Sequence, residues 1–453
     1  MEMLKLLSSV PRVALFAAAV SMPAALAAAI AVVPNRPCAL YRAGEEALFA
    51  VTVSDDSGNA LKSGEATWKL DNFGDVEIAS GTADLAKGNP FTVKGTLGEP
   101  GFLRLTVKSS KDSFVQSVGY DVEKIRQDEP CPADFDEYWT SEKTRLEREV
   151  PLDAKKTLDT KLSNETQDVY RVNFATFGGK RVYGFLRVPR PAARPLPLVV
   201  QVTDAGRGAI GPWINVPDAV SLTMNVHTFE PAETADGQQR LMGERNAELS
   251  REFGFGKTVY CGVIGIGVSR EAYHFHDVML GINRAVDWAA ALPEVDRSRV
   301  VYFGSSQGGG FGLFLNYLNS HFSRAMLAVC AITGHYGHKQ KRADGWPKLV
   351  KSQPDDAAKA NAEKFAAYFD GVNFAARIRH AVRFVVGFRD QTCPPPCVYS
   401  AYNACPSADK AIINAVGSNH IGWLKWCREN CSGERKFDYL DWALRNYDII
   451  TNK

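Results

Sequence analysis

The sequence predicts a two-part α/β chain: a doubly wound, mostly parallel sheet, preceded by an all-β sandwich of short strands. Three observations carry this. The length of 453 residues exceeds what one ordinary core organises. Residues 29 to about 125 hold short alternating runs split by Gly, Asp, Asn and Pro. From Cys131 onward apolar runs alternate with helical patterns, and one such run ends in Gly304-Ser305-Ser306-Gln307-Gly308.

At the start of the chain, Lys5 and Arg12 are basic. Val13–Val20 and the Ala-rich stretch after Pro23 are apolar, and Ala25-Leu26-Ala27 supplies small residues for cleavage. Residues 1–28 are therefore expected to be a signal peptide cut near Ala27 or Ala28, with the chain exported, periplasmic or secreted. The rival reading is an uncleaved anchor, because apolar character runs on to Val33. No Cys stands at the cleavage point to carry a lipid, and no later segment is apolar for long enough to span a bilayer. A net charge of +2 argues against a nucleic-acid partner. Nine cysteines in an exported chain predict some disulfides with at least one thiol left over. Cys393, Cys397, Cys405, Cys427 and Cys431 are the first candidates, whereas Cys261 and Cys330 lie in apolar runs and read as core thiols. The spacings at 393/397 and 427/431 do not match the usual zinc hairpins.

Within residues 29–125 the expected strands are Glu46–Val53, Glu65–Leu70, Val76–Ser80, Phe91–Thr96, Phe102–Val107 and Phe114–Val122. Their spacing is that of an immunoglobulin-like antiparallel sandwich. It holds no catalytic constellation and reads as a packing or spacer module. The alternative is a carbohydrate-binding surface, in which Trp68 and Phe73 form a platform instead of core.

Pro130-Cys131-Pro132 marks a boundary, and residues 126–453 form the second domain. Asp134–Val150 reads as a helix with Phe135, Tyr138 and Trp139 on its apolar side. Val169–Ala175 and Arg181–Val188 read as a hairpin, and Leu198–Val202 and Ala219–Val226 as buried strands. Asp277–Leu292 is an amphipathic helix. Val300–Phe303, Ala325–Ile332, Val382–Phe388 and Lys410–Val416 complete the strands. Such a sheet carries its site at the strands' C-terminal ends. The stretch Arg207–Thr258 is long for one connection and is expected to carry insertions that shape the pocket.

Gly304-x-Ser306-x-Gly308 between a strand and a helix is the pattern of a nucleophile elbow. Side chains at the two glycines would clash with the flanking elements, and the turn lifts Ser306 above the sheet edge. The Gln307 amide then sits at a helix N-terminus, suited to an oxyanion. A serine hydroxyl needs a base in reach and a group that orients the base. In hydrolase sheets of this kind the chain order is serine, acid, histidine. Only His420, in Gly417-Ser418-Asn419-His420-Ile421-Gly422, follows the last strand; His321, His335, His338 and His380 come too early. The acid that ends the preceding strand is Asp390, with Asp370 and Asp409 as rivals in a helical stretch and at a strand start.

Glu271, His274, His276 and Asp277 form a polar cluster with three readings, of which a substrate-facing role is one. Another is a metal site. The third, which is preferred, is a helix start with Asp277 near the cap and the histidines on the solvated side. His335-Tyr336-Gly337-His338 lacks the glutamate of the metalloprotease motif and reads as pocket edge or surface.

From about Cys131 to the C-terminus the chain resembles the acetyl xylan esterase and cephalosporin C deacetylase family of carbohydrate esterases, of the α/β-hydrolase fold. The marks are Asp134-Phe135-Asp136-Glu137-Tyr138-Trp139, Leu292-Pro293-Glu294-Val295-Asp296-Arg297 and Ser306-Gln307-Gly308-Gly309-Gly310. Longer ones run from Tyr368 to Ala375 and from Gly387 through Arg389-Asp390-Gln391-Thr392-Cys393 to Pro396. The resemblance implies that Ser306, Asp390 and His420 are the triad and that Gln307 is an oxyanion donor. It implies an acetylated oligo- or polysaccharide as substrate, no cofactor and no metal. Members often form ring-shaped homo-oligomers, an assembly that a fused N-terminal module can forbid or alter. The chain departs from the family at Thr203-Asp204-Ala205, where members usually have His-Gly-Tyr. Any residue but proline can offer an amide, so Ala205 is the candidate second oxyanion donor. The function expected is that of an exported serine esterase that removes acetyl or other short acyl groups from carbohydrate hydroxyls. One alternative is a prolyl oligopeptidase-type peptidase, against which stand Gln307 and the lack of a propeller-length N-terminal domain. The other is a non-catalytic glycan-binding protein.

Overall fold

Strict alternation of buried and more exposed residues along Ala47–Val53 makes that segment a strand with one face on a core. The computed structural model describes residues 30–431 apart from 110–111 and 192–194, together with 442–444. The expected signal peptide, residues 1–28, lies outside the described residues. The N-terminal part comprises β1 (Ile30–Pro34), β2 (Leu40–Tyr41), β3 (Ala47–Val53), β4 (Glu65–Asp71), β5 (Glu77–Asp84), β6 (Phe91–Gly95), β7 (Gly101–Lys108) and β8 (Ser113–Tyr120). They form two sheets, ordered β1-β3-β6 and β2-β8-β7-β4-β5. All pairs are antiparallel except the two-residue pair β2–β8, which is parallel. The apolar run that reaches Val33 is β1, with Val32 opposite Val51. Phe73 is core: it is fully buried under the Arg104 guanidinium, 4.8 Å from the ring centroid. Trp68 is half-buried over Gly81, where a Cβ would stand 2.7 Å from its ring.

The second domain follows as α1 (Phe135–Glu149), β9 (Lys155–Leu158), β10 (Gln167–Ala175), β11 (Arg181–Pro189), β12 (Leu196–Val202), β13 (Val220–Met224), α2 (Ala235–Glu252) and α3 (His274–Ala290). It continues with β14 (Val295–Ser305), α4 (Ser306–Leu318), β15 (Phe322–Ala328), α5 (Asp356–Phe365), α6 (Gly371–Ala375), β16 (Ala381–Gly387), α7 (Pro395–Ala404), β17 (Lys410–Ala415) and α8 (Trp423–Asn430). Nine strands make one sheet in the order β17-β16-β15-β14-β12-β13-β11-β10-β9. The six from β13 to β17 are parallel, and β9, β10 and β11 add an antiparallel edge. Both faces are covered: Val300 and Tyr302 face one apolar core, Val301 and Phe303 another. The sheet changes direction around β12 and β14, which puts the site at their C-terminal ends.

The N-terminal sheets meet the nine-stranded sheet beside the ends of β16 and β17. Ser117 Oγ donates to the Phe388 carbonyl. Arg389 Nε donates to the Val115 carbonyl over 2.8 Å, and its guanidinium lies 3.8 Å from the centroid of Phe114. The structure pairs none of the nine cysteines; all are free thiols, seven of them buried. The expected disulfides are thus corrected: the buried thiols pack as small apolar groups.

Candidate active site

The elbow is built by close approach. A Cβ on Gly304 would meet the backbone of Gly308, and one on Gly308 would meet the carbonyl of Val202 in the neighbouring strand β12. Only glycine fits at either place. The turn forces Ser306 to a φ of +52°, a left-handed conformation that costs energy in a side-chain-bearing residue. Ser306 opens α4, and Ser305 offers no side-chain cap, so the first-turn amides lack helical acceptors.

His420 lies in the loop between β17 and α8. Its Nε2 is 2.9 Å from Ser306 Oγ and its Nδ1 is 2.8 Å from Asp390 Oδ2. Asp390, after β16, is fully buried, and its Oδ1 accepts the amides of Thr392 at 2.8 Å and Cys393 at 2.9 Å. A proton on Nδ1 facing the carboxylate leaves Nε2 free to accept from the serine hydroxyl. Asp390, Cys393 and His420 are also, among the described residues, a cluster of metal-ligand types. Both imidazole nitrogens are engaged, by Asp390 and by Ser306. Burial pushes the Cys393 thiol well up, which keeps it protonated beside Ser306.

The loop after β12 is tied to the elbow. Ser305 Oγ donates to Asp204 Oδ1 over 2.9 Å, and Gln307 Nε2 donates to the Thr203 carbonyl over 3.1 Å. Gln307 Oε1 accepts from the Tyr260 hydroxyl at 3.0 Å, and His227 Nε2 lies 2.6 Å from the Gly206 carbonyl. Ala205 is exposed on this loop, and among the described residues no hydrogen bond uses its amide. Burial pushes the Asp204 carboxyl up to about 6, against the Ser305 hydroxyl and the nearby His420.

The rival acids are occupied elsewhere. Asp370 caps α6 and accepts the amides of Gly334, His335 and Val372. Asp409 Oδ1 is 2.7 Å from Arg383 Nη1. Two expectations about histidines need correction. His335 is fully buried, neither pocket edge nor surface, and His338 faces Asp344 at 2.8 Å and Glu363 at 3.2 Å. His274 and His276 are buried in the first turn of α3, not on a solvated side. His276 lies between Asp277 and Glu142, each at 2.9 Å, and Asp277 also holds Lys180 at 2.7 Å. Neighbouring carboxylates make that burial possible. Glu271 is exposed beside Arg270, so the four residues do not converge on one ion.

Tyr260, His227, Asp204 and Cys393 are the parts of the site to which the sequence reading gives no role there. Their signal is position alone: Asp204 directly after β12, His227 after β13, Tyr260 after α2, and Cys393 three residues past Asp390.

The family model described as acetyl xylan esterase (AXE1) matches residues 120–430. The curated protein acetyl esterase Axe7A of Xylanibacter ruminicola is 26% identical over 396 residues, 85% of this chain and 86% of that one. That share is too large to lie within residues 126–453, so the likeness extends into the N-terminal strands. An acetyl xylan esterase from Paenibacillus sp. R4 superposes with a TM-score of 0.54 at 23% identity, covering 66% of this chain and 93% of that one. Acetyl xylan esterase 1 from Thermoanaerobacterium sp. gives 0.53 at 20% identity, covering 66% and 92%. These likenesses identify the fold of the second domain as that of the α/β-hydrolases.

Proposed function

The chain belongs to the acetyl xylan esterase family, whose members are carboxylic ester hydrolases, and on that footing we propose an exported serine esterase that deacetylates carbohydrate hydroxyls. Ser306 Oγ attacks the ester carbonyl carbon while His420 Nε2 takes its proton. Asp390 holds the imidazole in one tautomer and stabilises its cation. The amides of Gln307 and Ala205 receive the oxyanion. The tetrahedral intermediate then expels the sugar oxygen, which takes the proton from His420 and leaves acetyl-Ser306. Water, with His420 as base, attacks the acetyl carbonyl and releases acetate. No step calls for a metal or an organic cofactor.

One observation carries the reading: a serine at a strained strand-to-helix turn, 2.9 Å from an imidazole that is itself 2.8 Å from a buried carboxylate. In this reading residues 1–28 direct export, residues 29–125 fold as an immunoglobulin-like sandwich, and residues 126–453 form the catalytic domain. The test is hydrolysis of an aryl acetate, with labelling by a serine-reactive phosphonate. The parent should do both and Ser306→Ala neither; equal activity in the two proteins would remove Ser306 from the mechanism. N-terminal sequencing of secreted protein should begin near residue 28; an intact Met1 in that fraction would overturn the cleavage, and confinement of the protein to the cytoplasm would defeat the export reading.

A further inference from the structure

Strand β8 pairs β7 along its whole length, Ser113–Tyr120 against Gly101–Lys108, whereas β2 covers its other edge only at Gly119 and Tyr120. A strand edge without a partner strand needs other groups to satisfy its backbone. Over Val115–Ser117 those groups come from the segments that carry Asp390 and His420. The Val115 carbonyl takes the Arg389 guanidinium, from the residue before Asp390. Phe388 packs edge-on against Phe102 of β7, with ring centroids 5.1 Å apart.

Two polar side chains of β8 are buried in this contact: Gln116 is 3% exposed and Ser117 not at all. Gln116 Nε2 donates to the Val416 carbonyl over 3.1 Å, and Ser117 Oγ donates to the Phe388 carbonyl. The acceptors lie 300 and 271 positions away along the chain. Each stands just ahead of a triad residue, Phe388 before Asp390 and Val416 before His420. The two segments are also tied to each other. The Arg389 amide donates to the Ser418 carbonyl over 2.9 Å, and Arg389 Nη1 to the Gly417 carbonyl over 3.1 Å. Three successive carbonyls of the histidine loop, those of Val416, Gly417 and Ser418, are thus held from outside that loop. A contact that only packs two sheets together needs no buried donors, which are costly unless matched. Here they are matched, and a hydrogen bond fixes distance and direction where an apolar contact lets backbones slide.

We propose that Gln116 and Ser117 are positioning residues for hydrolysis: β8 holds the Asp390 and His420 segments in place relative to each other and to Ser306. The N-terminal sheets are then a working part of the catalytic apparatus and not a spacer. The inference rests on the triad reading above. The experiment measures aryl-acetate hydrolysis by the full chain carrying Ser117→Ala, Gln116→Leu or both, well below the melting temperature of each. The double variant should lose about tenfold in kcat with KM nearly unchanged. In an Asp390→Asn background the same two substitutions should cost less than about twofold, because the pair they align is already broken. A purely structural role lowers the active fraction by the same factor in both backgrounds. That outcome, or an unaltered kcat in the double variant, would overturn the proposal. Should the double variant fail to fold, Ser117→Ala alone carries the same cycle, with a loss of about threefold expected. Amide hydrogen exchange reads the restraint without using activity. Exchange in residues 388–393 and 416–422 should quicken in the variant while that of α4 stays as in the parent. Unaltered exchange in both segments would overturn the proposal. A parent that cleaves no aryl acetate, with quickened exchange in the variant, would sink the esterase reading and leave the restraint by β8 standing.

Discussion

A Cβ built on Gly304 would stand 2.5 Å from the carbonyl oxygen of Gly308, so β14 and α4 meet more closely than any side chain allows. That closeness turns the chain at Ser306 and ties the elbow to β12, because Gly308 in turn abuts Val202. Gly308→Ala should therefore push α4 away from the end of the central strand β12. The expected cost is about 2 kcal/mol or more of stability, with loss of most aryl-acetate hydrolysis. Thermal unfolding and initial rates on the purified variant check it; a variant with the parent's melting temperature would show that the backbone relaxes freely.

Asp390→Asn tests the partner of the imidazole. The carboxylate is fully buried and accepts two amides besides facing His420, so an asparagine of the same shape fits. Its neutral amide no longer stabilises the imidazolium or enforces the tautomer. The expected loss in kcat is about 10³-fold or more, with KM little changed. A loss confined to KM would assign Asp390 to binding.

The elbow could be read from sequence because its demands are local: two glycines, a serine, an apolar run before and a helical one after. His420 and Asp390 could be named from chain order, since each follows a recognisable buried strand. Helix α2 could not. Its buried residues are Gln238, Asn246, Leu249 and Ser250, so it lacks an apolar stripe. The burial of His276 was equally hidden, because Glu142 lies 134 positions away along the chain and nothing local announces the pairing. Strand β1 was masked by the Ala-rich run that precedes it. The link from Tyr260 to Gln307 is a tertiary contact between the segment after α2 and the elbow, beyond any periodicity.

Arg389→Ala probes how the first domain steadies the site. Arg389 precedes Asp390, donates to Val115, and stacks on Phe114. Its Nη1 also donates to the Gly417 carbonyl at 3.1 Å, at the base of the loop that carries His420. It acts as a positioning residue for both partners of Ser306. Removing it should lower kcat by about tenfold and leave KM for a small aryl acetate nearly unchanged. An unaltered kcat would confine Arg389 to domain packing.

Acid should destabilise the fold in a defined window. Burial lowers His274 and His380 from 6.5 to about 4. Such groups bind fewer protons folded than unfolded, so their contribution to stability falls as pH drops from about 6.5 toward 4. His276 works in the opposite sense. Burial lowers it, Asp277 and Glu142 outweigh that, and its stabilisation is lost as pH rises through its raised folded value. Denaturant midpoints of the parent should fall between about pH 6.5 and pH 4.5, and His380→Gln should flatten the slope. An unchanged slope would place the acid sensitivity in other groups.

Asp204 gives the reverse dependence. Its carboxyl, raised by burial to about 6, keeps in the folded state a proton that the unfolded chain releases near 4. Folding is therefore progressively penalised as pH rises from about 4 to 6, by about 1.4 kcal/mol per unit of separation at most, and the penalty is complete above that window. Asp204→Asn removes the charge and keeps an acceptor for the Ser305 hydroxyl. The variant should melt higher than the parent at about pH 8, with the gain shrinking to nothing near pH 4. An equal gain at both values would mean that the substitution changes packing of the loop, not the burial of a carboxylate beside the elbow.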